Sequence, residues 1–237
     1  MRRSLVPILA TAVVSGVLGL PAAPAAAQPN TCIAAKLACT NKFTSAVFKC
    51  YAKIFKSGFG GGNQGKAEDC VRKARSKFGT ALSNKVQCWD KVEAKEKAEK
   101  PETVCPAGIF DEFDVDDLVQ DFTIDIASNE VAPSGPSGLG NGCSAGKVKC
   151  VGAFFTQLFK CEIKAHQAGV PADEACVAKA IAKFGGGGDP SKGCFAKLEA
   201  KQKLGKPKTY CDATGNTAVA GGKAEQFVAL VVVGLEP

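Results

Sequence analysis

The chain has 237 residues, with 30 lysines and arginines against 23 acids (formal charge +7), 12 cysteines and a single histidine. Aromatic residues make up 7% of it, and only Arg72 and Arg75 lie beyond the two arginines of the extreme N-terminus, so no specific nucleic-acid partner is expected. One histidine and no G-x-S-x-G elbow leave triad chemistry without partners, and the lack of any C-x-x-C pair argues against a thiolate zinc site.

Residues 1–27 read as a signal peptide. Arg2 and Arg3 form a positive start, LVPILATAVVSGVLGL an apolar run short for a bilayer, and Ala25-Ala26-Ala27 a small-residue cleavage site before Gln28. No transmembrane helix is expected once that leader is removed. An exported chain with an even number of cysteines is expected to form disulfides, which places it in the periplasm or outside the cell.

The cysteines expose an internal repeat. Cys32, Cys39, Cys50, Cys70, Cys88 and Cys105 follow the pattern C-x6-C-x10-C-x19-C-x17-C-x16-C. Cys143, Cys150, Cys161, Cys176, Cys194 and Cys211 follow C-x6-C-x10-C-x14-C-x17-C-x16-C. CWDKVEAKEKAEKPETVC and CFAKLEAKQKLGKPKTYC agree at 10 of 18 positions. The expected organisation is a first six-cysteine unit over 28–128, a Pro/Gly/Ser linker over 129–142 (NEVAPSGPSGLGNG) and a second unit over 143–237. Charge follows the same blocks: residues 32–105 hold 15 bases and 7 acids, 143–211 hold 12 and 5, and 106–142 hold 8 acids and no base.

Each unit is expected to open on a long amphipathic helix. Steps of 7 and 11 residues keep Cys32, Cys39 and Cys50 within about 20° of one line on a helical wheel. Phe43, Val47, Phe48, Tyr51, Ile54 and Phe55 fall on the adjoining arc. Lys42, Lys49, Lys53 and Lys56 fall opposite, and Lys149, Lys160 and Lys164 repeat them in the second unit. These seven lysines are the candidate face for polyanions, with anionic envelope polymers or lipid as candidate partners.

GFGGGNQGK follows, a near match to the phosphate-binding P-loop in which Ala67 stands where the Ser or Thr should be. It sits where the second unit is five residues shorter and follows a lysine-studded helix end rather than a strand. It is therefore expected to be a connector, and no cofactor is expected.

A second helix is expected from about Ala67 to Phe78 and from Asp173 to Phe184, opening on acids. A third is expected from near Ser83 or Asp189 to Pro101 or Pro207. After the sixth cysteine each unit has an apolar segment, FDVDDLVQDFTIDI or AEQFVALVVVGL, read as a helical lid. The alternation Phe122, Ile124, Ile126 and the run Val231-Val232-Val233 leave a strand open there. The acids from Asp111 to Asp125 lack the spacing of a calcium loop and suggest a solvated face or a dock onto the basic helices. His166 stands where the first unit has Phe55, which favours a packed or solvated histidine over a general base.

The fold class is therefore all-α: two tandem disulfide-stapled units, each of three helices plus a fourth apolar lid. Six cysteines allow 15 connectivities. Antiparallel neighbours favour the nested one: Cys50 with Cys70, Cys39 with Cys88, Cys32 with Cys105, and likewise Cys161 with Cys176, Cys150 with Cys194, Cys143 with Cys211.

The C-x6-C-x10-C spacing followed by C-V-x-K-A-x-x-K-F (CVRKARSKF, CVAKAIAKF) resembles exported, tandem six-cysteine, Lys/Ala-rich helical proteins of environmental bacteria with no assigned function. The resemblance spans residues 32–237 and implies no catalytic residues. The expected function is non-enzymatic, structural or binding; the alternatives are a binder of polyanions or lipids through the lysine faces and an apolar groove, and an enzyme of unrecognised class.

Overall fold

The computed structural model describes residues 29–58, 63–79, 87–96, 100–105, 110–131, 141–202, 206, 209–211 and 213–236. The expected signal peptide, residues 59–62 of the glycine-rich connector and most of the expected linker lie outside them. The described residues are helical, with no strand among them.

The helices are α1 (Thr31–Ser57), α2 (Asn63–Phe78), α3 (Cys88–Glu93), α4 (Glu112–Asp125), α5 (Gly142–Ala168), α6 (Glu174–Gly185), α7 (Cys194–Glu199) and α8 (Thr217–Leu235). Both segments for which a strand was open are thus helical, α4 continuing into a π-helical turn, Ile126–Val131. Helix α2 starts at Asn63, so Gly65 and an exposed Lys66 belong to its first turns, and only the part before it is connector.

Six disulfides staple the helices: Cys32–Cys105, Cys39–Cys88 and Cys50–Cys70 along α1, and Cys143–Cys211, Cys150–Cys194 and Cys161–Cys176 along α5. Their Cα–Cα separations run from 5.1 to 6.0 Å, within the range an unstrained bridge needs. The pairs also explain why the third helix is much shorter than expected. Cys32 and Cys39 are seven residues, about 10 Å, apart along α1. The expected helix, stopped by Pro101, would carry the chain about 18 Å away from Cys88, whereas Cys105 must return to Cys32. The chain therefore leaves the helix at Glu93, and at Glu199 in the second set. Asp189 does not start α7; it caps a short 3-10 turn, Pro190–Lys192, and Gly193 separates that turn from the helix.

Helices α1 and α5, each 27 residues and about 40 Å long, lie antiparallel against each other. The Asn30 N–H at the start of α1 donates to the His166 carbonyl near the end of α5 (2.8 Å), and the Asn141 N–H at the start of α5 donates to the Phe55 carbonyl near the end of α1 (2.6 Å). Gly152 permits the close crossing. A Cβ there would stand 2.8 Å from the Phe48 Cβ. Phe48 in turn meets Phe155 (5.5 Å between centroids), and Phe122 of α4 and Phe227 of α8 close on Phe155 at 4.8 and 5.3 Å.

Outside this shared centre each set of helices has its own aromatic stack. Phe43 stacks on Phe78, which meets Trp89 edge-on; Phe154 stacks on Phe184, which meets Phe195 edge-on. All of these rings belong to one continuous core that includes residues from every α-helix. The ends of the expected linker are held by that core: Val131 is fully buried, and Asn141 is buried and caps α5.

Two capping asparagines tie the ends together. Asn30 Oδ1 accepts from Ile33 N while its Nδ2 donates to the Val104 carbonyl. Asn141 Oδ1 accepts from Cys143 N and Ser144 N while its Nδ2 donates to the Tyr210 carbonyl at 2.7 Å. Aspartate could cap but has no donor when ionised, whereas the amide carries an acceptor and a separate N–H donor on one short side chain.

Candidate functional site

The outer face of α5 carries two adjoining hollows. One, of about 350 Å³, lies between α1 and α5 and is lined by Ser45, Phe48, Lys49, Lys149, Gly152, Ala153, Thr156 and Gln157. The other, of about 250 Å³, lies between α5, α6 and α7 and is lined by Cys150, Ala153, Phe154, Gln157, Ala180, Lys183, Phe184, Lys192, Cys194 and Lys197. Ala153 and Gln157 border both, so the hollows adjoin along α5 and are together called the furrow. Phe48, Phe154 and Phe184 line it from beneath, only 2–5% exposed, and among the described residues five lysines and no acid line it.

The local sequence explains this combination. Gly152 leaves space on α5 that the Phe48 side chain occupies, and both residues line the first hollow. The Cys150–Cys194 bridge pins α7 beside α5 and brings Lys192 and Lys197 to the rim. Lys192 also pairs with Asp189 at 3.4 Å, an exposed pair of small energetic weight.

All seven lysines of the candidate polyanion face, Lys42, Lys49, Lys53, Lys56, Lys149, Lys160 and Lys164, are exposed. Only Lys49 and Lys149 border the furrow. The three others that do, Lys183, Lys192 and Lys197, were missed in the sequence because they come from different elements and converge only when α6 and α7 pack on α5. The groove expected beneath the lids is instead filled: Phe122 of α4 and Phe227 of α8 are 4.8 Å apart and both meet Phe155.

Two further lysines are buried and structural. Lys147 is fully buried; its Nζ lies 2.6 Å from Glu199 Oε1, donates to the Ala213 carbonyl and to Asn216 Oδ1, and stands 4.7 Å from the Phe195 ring centre. Lys36 reaches Glu93 at 2.8 Å and lies 4.9 Å from the Trp89 ring centre. A lysine four residues after the first cysteine and a glutamate five after the fifth recur in both copies (C-x3-K and C-x4-E), and that was the available signal.

Four acids of the acidic stretch make internal contacts, while Asp117 and Asp121 are exposed. Asp111 and Asp114 form the capping box of α4, buried Asp116 pairs with Arg75 at 2.6 Å, and Asp125 pairs with Lys223 at 2.8 Å. Glu130 pairs with Lys223 as well, at 2.7 Å, so α8 is tied to α4 and its π-helical extension. The Glu96 carboxylate lies beside Cys32 and Cys105, but their sulfurs are joined, and Glu96 accepts from Cys105 N at 2.6 Å.

Comparison with protein-family models, curated proteins and solved structures finds no match to this chain.

Proposed function

We propose that this is an exported, disulfide-stapled helical repeat protein of the periplasm or the extracellular space, that it binds rather than catalyses, and that its ligand is a small anionic amphiphile held in the furrow on α5. The observation that carries this is the pairing of an aromatic floor (Phe48, Phe154, Phe184) with Lys49, Lys149, Lys183, Lys192 and Lys197 at the edges. An apolar chain placed on the floor leaves water, while its anionic head meets lysine ammonium groups at the rim. Six disulfides, with no free cysteine among the described residues, support an oxidising compartment.

The test is calorimetric titration with laurate, a twelve-carbon carboxylate, with dodecanol as the uncharged control. Saturable laurate binding is expected, weakened at least tenfold in Lys149→Glu/Lys183→Glu and absent with dodecanol. A second reading, a polyanion binder, is favoured by the exposure of all seven helix-face lysines. Salt-sensitive retention on heparin without laurate binding would support it over the furrow. Failure of both would sink the two readings together.

A further inference from the structure

The hollow between α5, α6 and α7 carries three of the five furrow lysines, and they reach it from three elements. Lys183 comes from α6, Lys192 from the short turn Pro190–Lys192 and Lys197 from α7. No described acid lines this hollow, and Lys183 and Lys197 make no ion pair among the described residues. The lysine charge there is offset only by the exposed pair of Lys192 with Asp189. The adjoining hollow between α1 and α5 is larger, about 350 Å³ against 250 Å³, and has only Lys49 and Lys149.

The lysine-rich rim is held by the connection from α6 to α7, GGGGDPSKG over residues 185–193. Gly186 has a φ of 98°, and a Cβ there would run into the Asp189 carbonyl oxygen; one on Gly193 would stand 2.8 Å from the Gly185 carbonyl oxygen. Side chains at these two positions would force the turn open. Within it the Lys192 N–H donates to the Asp189 carbonyl at 2.9 Å and the Gly193 N–H to the Pro190 carbonyl at 3.0 Å. The Cys150–Cys194 bridge then fixes the end of the turn to α5. The first half has GTALSNKVQ in the same register, with Val86 at the position of Lys192. It also has Lys42 at the position of Ala153, the residue whose small side chain borders both hollows.

We infer that the hollow between α5, α6 and α7 is the head-group subsite of the furrow, that it selects a phosphomonoester over a carboxylate, and that the ligand's apolar chain crosses Ala153 into the hollow between α1 and α5. This rests on the anionic-amphiphile reading above and adds the charge and direction of the ligand. A phosphomonoester carries about −1.5 to −2 charges at neutral pH and three acceptor oxygens, enough to engage three ammonium groups. A carboxylate has a single charge and two oxygens and leaves part of the lysine cluster unbalanced. Lysine meets phosphate as a point charge, so this rim does not need the fixed fork of an arginine. The larger hollow, less charged and walled by Phe48 and Gly152, is where the chain leaves water.

The experiment is calorimetric titration of the oxidised protein at pH 7.5 with dodecyl phosphate, its methyl diester, laurate and inorganic phosphate, all below micelle-forming concentrations. Dodecyl phosphate is expected to bind at least tenfold more tightly than laurate or the singly charged diester. It should bind at least a hundredfold more tightly than inorganic phosphate, which has no chain. Lys183→Met, Lys197→Met and Ser45→Phe, the last filling the hollow between α1 and α5, should each weaken dodecyl phosphate at least fivefold, and the surface control Lys164→Met should not. Lys183 and Lys197 are exposed, so their variants keep the test valid should Ser45→Phe disturb packing. Laurate binding as tight as that of dodecyl phosphate, or full affinity in both Lys183→Met and Lys197→Met, overturns the head-group assignment and leaves the amphiphile reading standing. Inorganic phosphate binding as tightly as dodecyl phosphate would mean a site for the free ion and overturn the placement of the chain. Binding of none of the four ligands overturns both readings.

Discussion

The backbone N–H of Asn141 donates to the carbonyl of Phe55 at 2.6 Å, joining the first residue before α5 to the last turn of α1. Asn30 and His166 make the corresponding bond at the other end of the pair. Between these two clasps the faces of α1 and α5 bury Val47, Phe48, Val151 and Phe155 to within 2% of full burial. The two halves therefore share a core, although every disulfide stays within its own half.

Separation of the halves should reveal this dependence. An oxidised fragment of residues 29–131 is expected to self-associate, a second copy's α1 taking the place of α5, instead of behaving as a stable monomer. Light scattering coupled to gel filtration reads the mass. A monomer as stable as the whole chain would show that the α1–α5 contact contributes little.

Gly152 should resist even the smallest addition. Alanine there drives a Cβ into Phe48, and overpacking of this kind costs about 1–3 kcal/mol. Gly222 in α8 is the contrast, with nothing within 4 Å of an added Cβ. Gly222→Ala is expected to stabilise by about 0.5–1 kcal/mol through helix propensity. Urea denaturation of the two variants should move in opposite directions.

Glu199 and Glu93 make matching ion pairs of unequal weight. The Lys147 side chain is fully buried and that of Glu199 is 19% exposed, whereas that of Glu93 is 47% exposed. Glu199→Ala strands a buried ammonium and should cost about 3 kcal/mol or more. Glu93→Ala leaves Lys36 nearer water and should cost less than half of that. Equal losses in denaturant titrations would contradict the difference in burial.

Lys223 should give stability that fails at both extremes of pH. Burial pushes the Asp125 carboxyl up, but hydrogen bonds from Lys223 and Asn129 and the Lys223 charge outweigh it and hold it below the ordinary carboxylate value. Hydrogen bonds to Asp125 and Glu130 raise Lys223. The carboxylate's share is present above its unfolded pKa of about 3.9 and lost as pH falls through the lower folded value. The lysine's share is full below about 10.4 and lost as pH rises through the higher folded value. The stability difference between wild type and Lys223→Met should be flat from about pH 5 to 9 and shrink outside it. A difference undiminished at pH 2 would mean that Lys223 acts through packing.

Much of the architecture is local and was legible in the residues. Steps of 7 and 11 between cysteines are helical steps, and an asparagine or aspartate stands at the cap of α1, α4, α5 and α6. These signals arise from neighbours within one or two turns, so 3.6-residue periodicity and cap chemistry are enough to read them. Three features required the tertiary structure. Phe48 could be assigned to a buried face, but which helix that face meets depends on Gly152, in the other half of the chain. Lys183, Lys192 and Lys197 become one rim only after α6 and α7 dock on α5. His166 and Glu236 stand on α5 and beyond the end of α8, and nothing in the periodicity of either segment brings them together. Side-chain pattern determines which face of a helix leaves water; the partner of that face is chosen by the packing of the whole chain.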